Sequence, residues 1–197
     1  MHIVSGKPNN LPEGWIHQLA SYRYQVFVEH LGWELDTPPG READQFDRPD
    51  TVYVIAKNVK GELTGCARLL PTTQPYLLGE VFPLLLQGQQ VPCDSEVWEL
   101  SRFAAVDFKG QNGPELGQFS SPVAVQLMQE AIAYAARHGA RRLITVSPIG
   151  VERLLRRAGF HAHRAGPPMI VDGHPLFACW IETHPLASRE GLHKPSN

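Results

Sequence analysis

Residues 51–70 read TVYVIAKNVKGELTGCARLL. Both ends of this stretch are rich in β-branched and apolar side chains, while Asn58, Val59, Lys60 and Gly61 between them include the Asn and Gly that a tight reversal favours. The stretch therefore predicts an antiparallel hairpin with strands over 51–57 and 62–70, and a sheet begins here. Toward the N-terminus, Pro12 and Glu13 suit a first helical turn, and Trp15, Leu19, Tyr22 and Val26 then fall along one apolar stripe of a helix ending near Gly32. Arg23 and Phe27, one turn apart, put a cation beside a ring on a neighbouring stripe. Residues 36–50, polar and containing Pro38, Pro39 and Gly40, predict a long loop.

Downstream, Pro71, Pro75, Pro83 and Pro92 break the chain into short pieces before a third strand over 97–105. Ser120 or Ser121 can cap a helix with Pro122 in its first turn, apolar along Ala124, Leu127, Met128, Ala131 and Ala135 and ending at Gly139. A buried strand over 142–147, a short helix over 151–158 and a tight turn at Asp172-Gly173 between two last strands complete the order. Helix, three strands, helix, strand, helix, two strands predicts an α/β fold. It is a three-layer α-β-α sandwich in which a mostly antiparallel mixed sheet carries helices on both faces, in a single domain over 1–197. This order resembles the acetyl-CoA-dependent N-acetyltransferase fold. The phosphate-cradling R-x-x-G-x-G loop of those enzymes is missing, because Gly110, Gly113 and Gly117 in 106–121 lack that spacing. A thioester donor without a nucleotide diphosphate, such as acyl carrier protein, fits better.

The 197 residues, 43% apolar, suffice for one core. No run of eighteen apolar residues occurs and the N-terminus lacks a basic flank before an apolar stretch, so neither a membrane span nor a secretion signal is expected and the protein is read as soluble and cytoplasmic. Three cysteines without C-x-x-C spacing suggest buried thiols, and His161 and His163 lack a third ligand nearby, so no metal is expected. Net charge is −2, but residues 1–129 carry 9 basic and 15 acidic side chains and residues 130–197 carry 9 and 5. Arg137, Arg141, Arg142, Arg153, Arg156, Arg157 and Arg164 make the second part basic, either as a solvated face or as a surface for an acidic partner. Slight overall acidity and the lack of a binding motif argue against nucleic acid.

Residues 23–103 contain a series of short motifs. Arg23-x-x-x-Phe27 runs into Leu31-Gly32-Trp33; then come Glu42-x-Asp44-Gln45-Phe46-Asp47, Cys66-Ala67-Arg68-Leu69-Leu70-Pro71-Thr72, Val81-Phe82-Pro83 and Trp98-Glu99-Leu100-Ser101-Arg102-Phe103. In this order they resemble the LuxI-type acyl-homoserine-lactone synthases, and residues 161–168 resemble Burkholderia-type members of that family. The resemblance implies an acyltransferase that makes an N-acyl-L-homoserine lactone from S-adenosylmethionine and an acyl-acyl carrier protein, with methylthioadenosine released. It implies a medium-chain acyl group, octanoyl or a 3-oxo chain, and S-adenosylmethionine as substrate with no cofactor.

Chemistry gives these residues tasks in such a reaction. Rings from Phe27, Trp33, Phe82 and Phe103 would attract a sulfonium by the cation–π effect, worth about 0.5–2 kcal/mol, with core packing as the alternative for each. Asp44 and Asp47, three apart, would share one side of a helical turn and face the amine or sulfonium, unless they merely solvate a loop. Arg23 and Arg102 would hold the methionyl carboxylate. Glu99 is the candidate general base, or else half of a buried ion pair, and joins Ser101 and Arg102 as the expected catalytic set. Strand alternation separates Glu99 and Ser101 from Arg102, so a bulge is needed to unite them and free a backbone N–H for an oxyanion. Arg68 is expected to hold Asp44 or Asp47 in place or to meet substrate. Leu100, Leu127, Met128, Ile144, Thr145, Val146 and Leu155 would line an acyl pocket, or simply fill the core. Arg142, Arg153, Arg156 and Arg157 would dock the carrier protein. Two rivals remain: an N-acyltransferase using acyl-CoA and another amine, and a non-catalytic carrier-docking module.

Overall fold

The computed structural model describes residues 1–109 and 121–184. Its strands are β1 (His2–Gly6), β2 (Val52–Lys57), β3 (Leu63–Pro71), β4 (Val97–Ala104), β5 (Arg142–Pro148), β6 (Ala162–Arg164), β7 (Met169–Val171) and β8 (His174–Glu182). The expected hairpin is β2–β3, and its turn is fixed by the Asn58 side-chain Oδ1 accepting from the backbone N–H groups of Lys60 and Glu62 at 2.9 and 3.1 Å. The sheet order is β1-β2-β3-β4-β5-β8-β6, with β7 also on β8, and every pairing is antiparallel except β4–β5. Asp172 and Gly173 adopt φ of 48° and 80° between β7 and β8, the left-handed pair that a two-residue hairpin requires.

Two strands exceed the expectation. β1 offers little beyond Ile3 and Val4 as apolar signal, and β6 is three residues long and mostly polar. The first helix starts at Trp15 rather than Pro12. It runs as α1 (Trp15–Arg23) into a π-helical segment, Tyr24–His30. α2 (Leu77–Val81) and a 3-10 turn, Pro83–Leu86, occupy the proline-broken region. α3 (Pro122–Arg137) is capped by Ser121, whose hydroxyl accepts from the Ala124 N–H at 3.1 Å, and α4 (Val151–Arg157) follows β5. Ser120, Gly110, Gly113 and Gly117 lie outside the described residues.

Alternation along the strands feeds three apolar clusters. α3 and α4 cover one face, where Leu69, Leu100, Leu127, Met128, Leu155 and Phe177 meet. On the opposite face α1 covers Ile55 and Cys66, while α2 and the 3-10 turn cover Leu70, Ile144 and Ala178. The three layers are therefore helix, sheet, helix. Gly166 closes the α2 side so tightly that a Cβ there would stand 2.6 Å from the Leu85 carbonyl oxygen. Gly166→Ala should cost about 1–3 kcal/mol of unfolding free energy, read from urea denaturation, because a backbone atom must move to admit the methyl.

Candidate active site

The β3–β4 ladder slips midway: Cys66 faces Ala104 and Arg68 faces Ser101, so β4 holds one extra residue opposite Ala67. That is a β-bulge, with Arg102 at φ 50°. Regular alternation would send the Arg102 side chain to the α3 face with Leu100. The bulge returns it to the face of Glu99 and Ser101, and Phe103 instead packs against the α3-side cluster. The Arg102 carbonyl accepts from the buried Cys66 thiol at 3.2 Å, and burial pushes that thiol up to about 12.

Around Arg102 three guanidinium groups meet three carboxylates. Asp44 and Asp47 sit in one turn, with the Asp47 N–H donating to the Asp44 carbonyl at 3.0 Å. Their side chains face the sheet together. Arg68 binds Asp44 through Nη1 and Nη2 at 2.5 and 3.0 Å and lies 3.2 Å from Asp47. Arg23 binds Asp47 through Nη1 and Nη2 at 2.7 and 3.0 Å and donates its Nε to Glu42. Arg102 reaches Glu42 from Nε and Nη2 at 3.1 and 3.0 Å and Asp44 from Nη2 at 2.9 Å. The Tyr53 hydroxyl donates to Asp47 at 2.7 Å, and Arg68 Nε donates to the Ser101 hydroxyl at 3.0 Å. Burial alone would lower the Arg23 pKa, but Asp47 and Glu42 raise it; burial alone would raise that of Asp47, but Arg23 and Arg68 hold it well below the usual carboxylate range.

An aromatic wall stands beside this network. Gly32 at φ 68° reverses the chain, and the Trp33 N–H donates to the Phe27 carbonyl at 2.9 Å, which lays the indole over the Phe27 ring. The ring centroids are 4.8 Å apart at 28°, and the Arg102 guanidinium lies 5.7 and 5.8 Å from them. Phe27 is 2% exposed and Trp33 41%, so only the indole keeps an open face.

Glu99 is fully buried, and its carboxylate accepts the N–H groups of Leu77 and Leu78 at 3.0 and 2.6 Å. Burial raises its pKa against the pull of those donors. The same bonds anchor α2, which leads into the half-buried Phe82. Glu99 is also the last β4 residue paired with β5: the parallel register covers Val97, Trp98 and Glu99 opposite Arg142, Leu143 and Ile144. Beyond it β4 runs on to Ala104 and β5 to Pro148 without pairing to each other, so the two strands diverge as a wedge with Glu99 at its apex.

The structure thus unites Arg23, Phe27, Trp33, Asp44, Asp47, Arg68, Ser101 and Arg102, with Glu99 and Phe82 adjoining through α2. Several expectations need correction. Arg23 has all three guanidinium nitrogens engaged by Glu42 and Asp47, so it is part of the scaffold and does not offer a free edge to a carboxylate. Phe27 backs Trp33 with its face covered, and Phe103 lies on the other side of the sheet. The acyl-pocket set divides: Leu100, Leu127, Met128 and Leu155 belong to the α3-side cluster, whereas Ile144 and Val146 face α2, because successive strand residues point to opposite faces. Thr145, buried between them in sequence, falls by the same alternation on the α3 side. Arg153, Arg156, Arg157 and Arg164 line a cleft of about 440 Å³ beside α4, but Arg142 stands at the far end of β5, stacked 4.1 Å from the Trp180 ring. Glu42 and Tyr53 were not among the expected site residues. Glu42 had a signal, as the first of three acids in six residues. Among the described residues no group of three or more His, Cys, Asp or Glu is placed to hold a metal ion, and no helix is long and apolar enough to cross a membrane.

Asp47→Asn removes one carboxylate from this buried set and should cost about 3–5 kcal/mol at neutral pH. Because the native pKa of Asp47 is depressed, its contribution is full above the ordinary value of 3.8 and is lost as pH falls through the native one. Urea melts should therefore show the difference between wild type and variant narrowing at about pH 3 and below.

A profile of the family described as "Autoinducer synthase" matches residues 9–185. An acyl-homoserine-lactone synthase of Acinetobacter nosocomialis is 58% identical over 182 residues, covering 92% of this chain and all of that one. Among solved structures, TofI in a ternary complex with an inhibitor and MTA is 46% identical, with a TM-score of 0.79 over 93% of this chain and 92% of that chain. BjaI, a CoA-dependent acyl-homoserine lactone synthase solved with SAM and isopentyl-CoA, is 29% identical, with a TM-score of 0.79 over 93% of this chain and 82% of that chain. The fold is that of the α/β N-acyltransferases. A non-catalytic docking module is set aside, as is an acyltransferase acting on an unrelated amine: the chain is an acyl-transferring enzyme that belongs to the autoinducer synthase family of acyl-homoserine-lactone synthases.

Proposed function

We propose that this enzyme, acting in the cytoplasm, joins S-adenosylmethionine to a medium-length acyl chain delivered by acyl carrier protein. It releases an N-acyl-L-homoserine lactone, methylthioadenosine and the holo-carrier. The observation that carries this is the convergence, at the β4 bulge, of an open indole face, a carboxylate-lined rim and the mouth of the β4–β5 wedge. A sulfonium rests against Trp33, with Asp44 and Asp47, the more exposed of the three acids, at the rim of the charge network beside it. Arg102 spends Nε and Nη2 on Glu42 and Asp44, and Nη1 is directed to the methionyl carboxylate.

The wedge receives the thioester arm. Splayed strands leave backbone donors and acceptors along their facing edges, which suit the amides of a phosphopantetheine, and the acyl chain continues toward Leu100, Leu127, Met128, Thr145 and Leu155 on the α3 side. The methionyl amine attacks the thioester carbonyl: a C–N bond forms, the C–S bond breaks and the carrier thiol departs with a proton. Glu99, at the apex of the wedge, takes the amine proton directly or through one water, a role that its raised pKa favours. The methionyl carboxylate then attacks its own γ-carbon, the sulfonium C–S bond breaks toward sulfur and the lactone closes. Alignment dominates that second step, and neither step calls for a metal or cofactor.

Acyl carrier protein is favoured as donor by the basic second part of the chain and by the cleft of Arg153, Arg156, Arg157 and Arg164, whose four arginines outnumber its one acid, Glu152, paired with Arg156 and Arg164. Purified enzyme incubated with S-adenosylmethionine and a panel of acyl-carrier and acyl-CoA thioesters should yield lactone and methylthioadenosine by mass spectrometry, fastest with a medium-chain carrier. No lactone with any donor would sink the proposal. Reversing Arg153, Arg156 and Arg157 to Glu should raise KM for the carrier roughly tenfold or more and flatten its dependence on salt. Glu99→Gln should lower kcat about 100-fold and abolish the acidic limb of the pH–rate profile, which in wild type lies above the ordinary glutamate value of 4.5.

A further inference from the structure

Glu42 differs from the two aspartates beside it. Its side chain is 1% exposed, against 16% for Asp44 and 12% for Asp47, so it lies beneath the rim rather than on it. One carboxylate oxygen accepts from Nε of Arg23 and the other accepts from Nε of Arg102, with Nη2 of Arg102 in ion-pair contact 3.0 Å away. Its own N–H donates at 3.0 Å to the Ala20 carbonyl, which also accepts from Tyr24 where α1 passes into the π-helical segment. A single residue thereby ties the first helix, the 36–50 loop and the β4 bulge together.

Arg102 needs such a tie. Its backbone is left-handed at φ 50°, which an L side chain adopts only when its surroundings hold it there. Asp44 meets the guanidinium at Nη2 alone and is itself shared with Arg68. One point of attachment lets a planar group pivot, whereas two donors along one edge fix its plane. Glu42 supplies the second point, and the plane it fixes is the one lying 5.7 and 5.8 Å from the Phe27 and Trp33 rings.

We propose that Glu42 is a positioning residue for the acyltransfer reaction: by clamping the inner edge of the Arg102 guanidinium it aims Nη1 at the methionyl carboxylate and holds the cation beside the indole wall. This deepens, and rests on, the assignment of S-adenosylmethionine to that wall. Glu42 touches no substrate, and it acts through Arg102.

The test combines steady-state kinetics with a double-mutant cycle. Glu42→Gln keeps the shape and removes the charge; KM for S-adenosylmethionine should rise about 10- to 100-fold, the scale of one charge-assisted hydrogen bond, while KM for the acyl-carrier thioester stays within about twofold. In an Arg102→Met background the same substitution should change KM for S-adenosylmethionine less than about threefold, since the group it steers is gone. Equal loss for both substrates, or full additivity with Arg102→Met, would overturn the proposal and leave Glu42 as a structural counter-ion. If Glu42→Gln does not fold, Glu42→Asp keeps the charge but shortens the reach. It should raise KM for S-adenosylmethionine while its Tm stays near wild type, and an unchanged KM would again overturn the positioning role. Failure of the wild type to form lactone would instead remove the S-adenosylmethionine assignment itself.

Discussion

Three arginines and three carboxylates, drawn from α1, the 36–50 loop, β3 and β4, neutralise one another in a space almost closed to water. Each ion would be costly to bury alone, and the set is tolerable only because every member meets an opposite charge in hydrogen-bonding geometry. That requirement disciplines the loop. With no helix or strand of its own, it runs where Glu42, Asp44 and Asp47 can each reach a guanidinium, and its turn over 44–47 puts the two aspartates on one side. Hydrophobic contact would hold such a segment with many near-equal arrangements. Paired charges allow far fewer.

Two departures from a regular sheet that shape the site fall on β4. The bulge brings Arg102 to the face of Ser101 and Glu99, and the early end of the β4–β5 pairing opens the wedge. A continuous ladder would have been more stable locally, but it would have left Arg102 among leucines and no gap for a substrate arm. The conflict between local regularity and function is confined to a few residues, and the surrounding clusters are buried and apolar.

Much of this was legible in the chain. The 51–70 hairpin, the Ser121-Pro122 helix start and the Asp172-Gly173 turn rest on local backbone preferences, which sequence carries directly. That Arg68 holds Asp44 or Asp47, and that a bulge is needed to bring Arg102 to Glu99, could be read from charge and strand alternation, without a choice between the two aspartates. Glu42 was harder to place, because an acid in a polar loop is ordinarily solvated and only the fold brings Arg23 and Arg102 to the same oxygens' reach. Arg142 joined the α4 arginines on paper because proximity in sequence hides which end of a strand a residue occupies. The acyl-lining set failed to form one wall for a related reason: Ile144, Thr145 and Val146 are neighbours in the chain but look in alternate directions.

The hydrogen bond from Cys66 to the bulge carbonyl bears on the chemistry in another way. Acyl transfer out of a thioester liberates a sulfhydryl at every turnover. Cys66 and Cys179 are both buried, with ionisation pushed up to about 12, so neither is nucleophilic enough to intercept the acyl group or to exchange with the departing carrier. A disulfide reagent used to count released thiols would meet Cys93 on the surface once per molecule, and thereafter its colour would follow product alone.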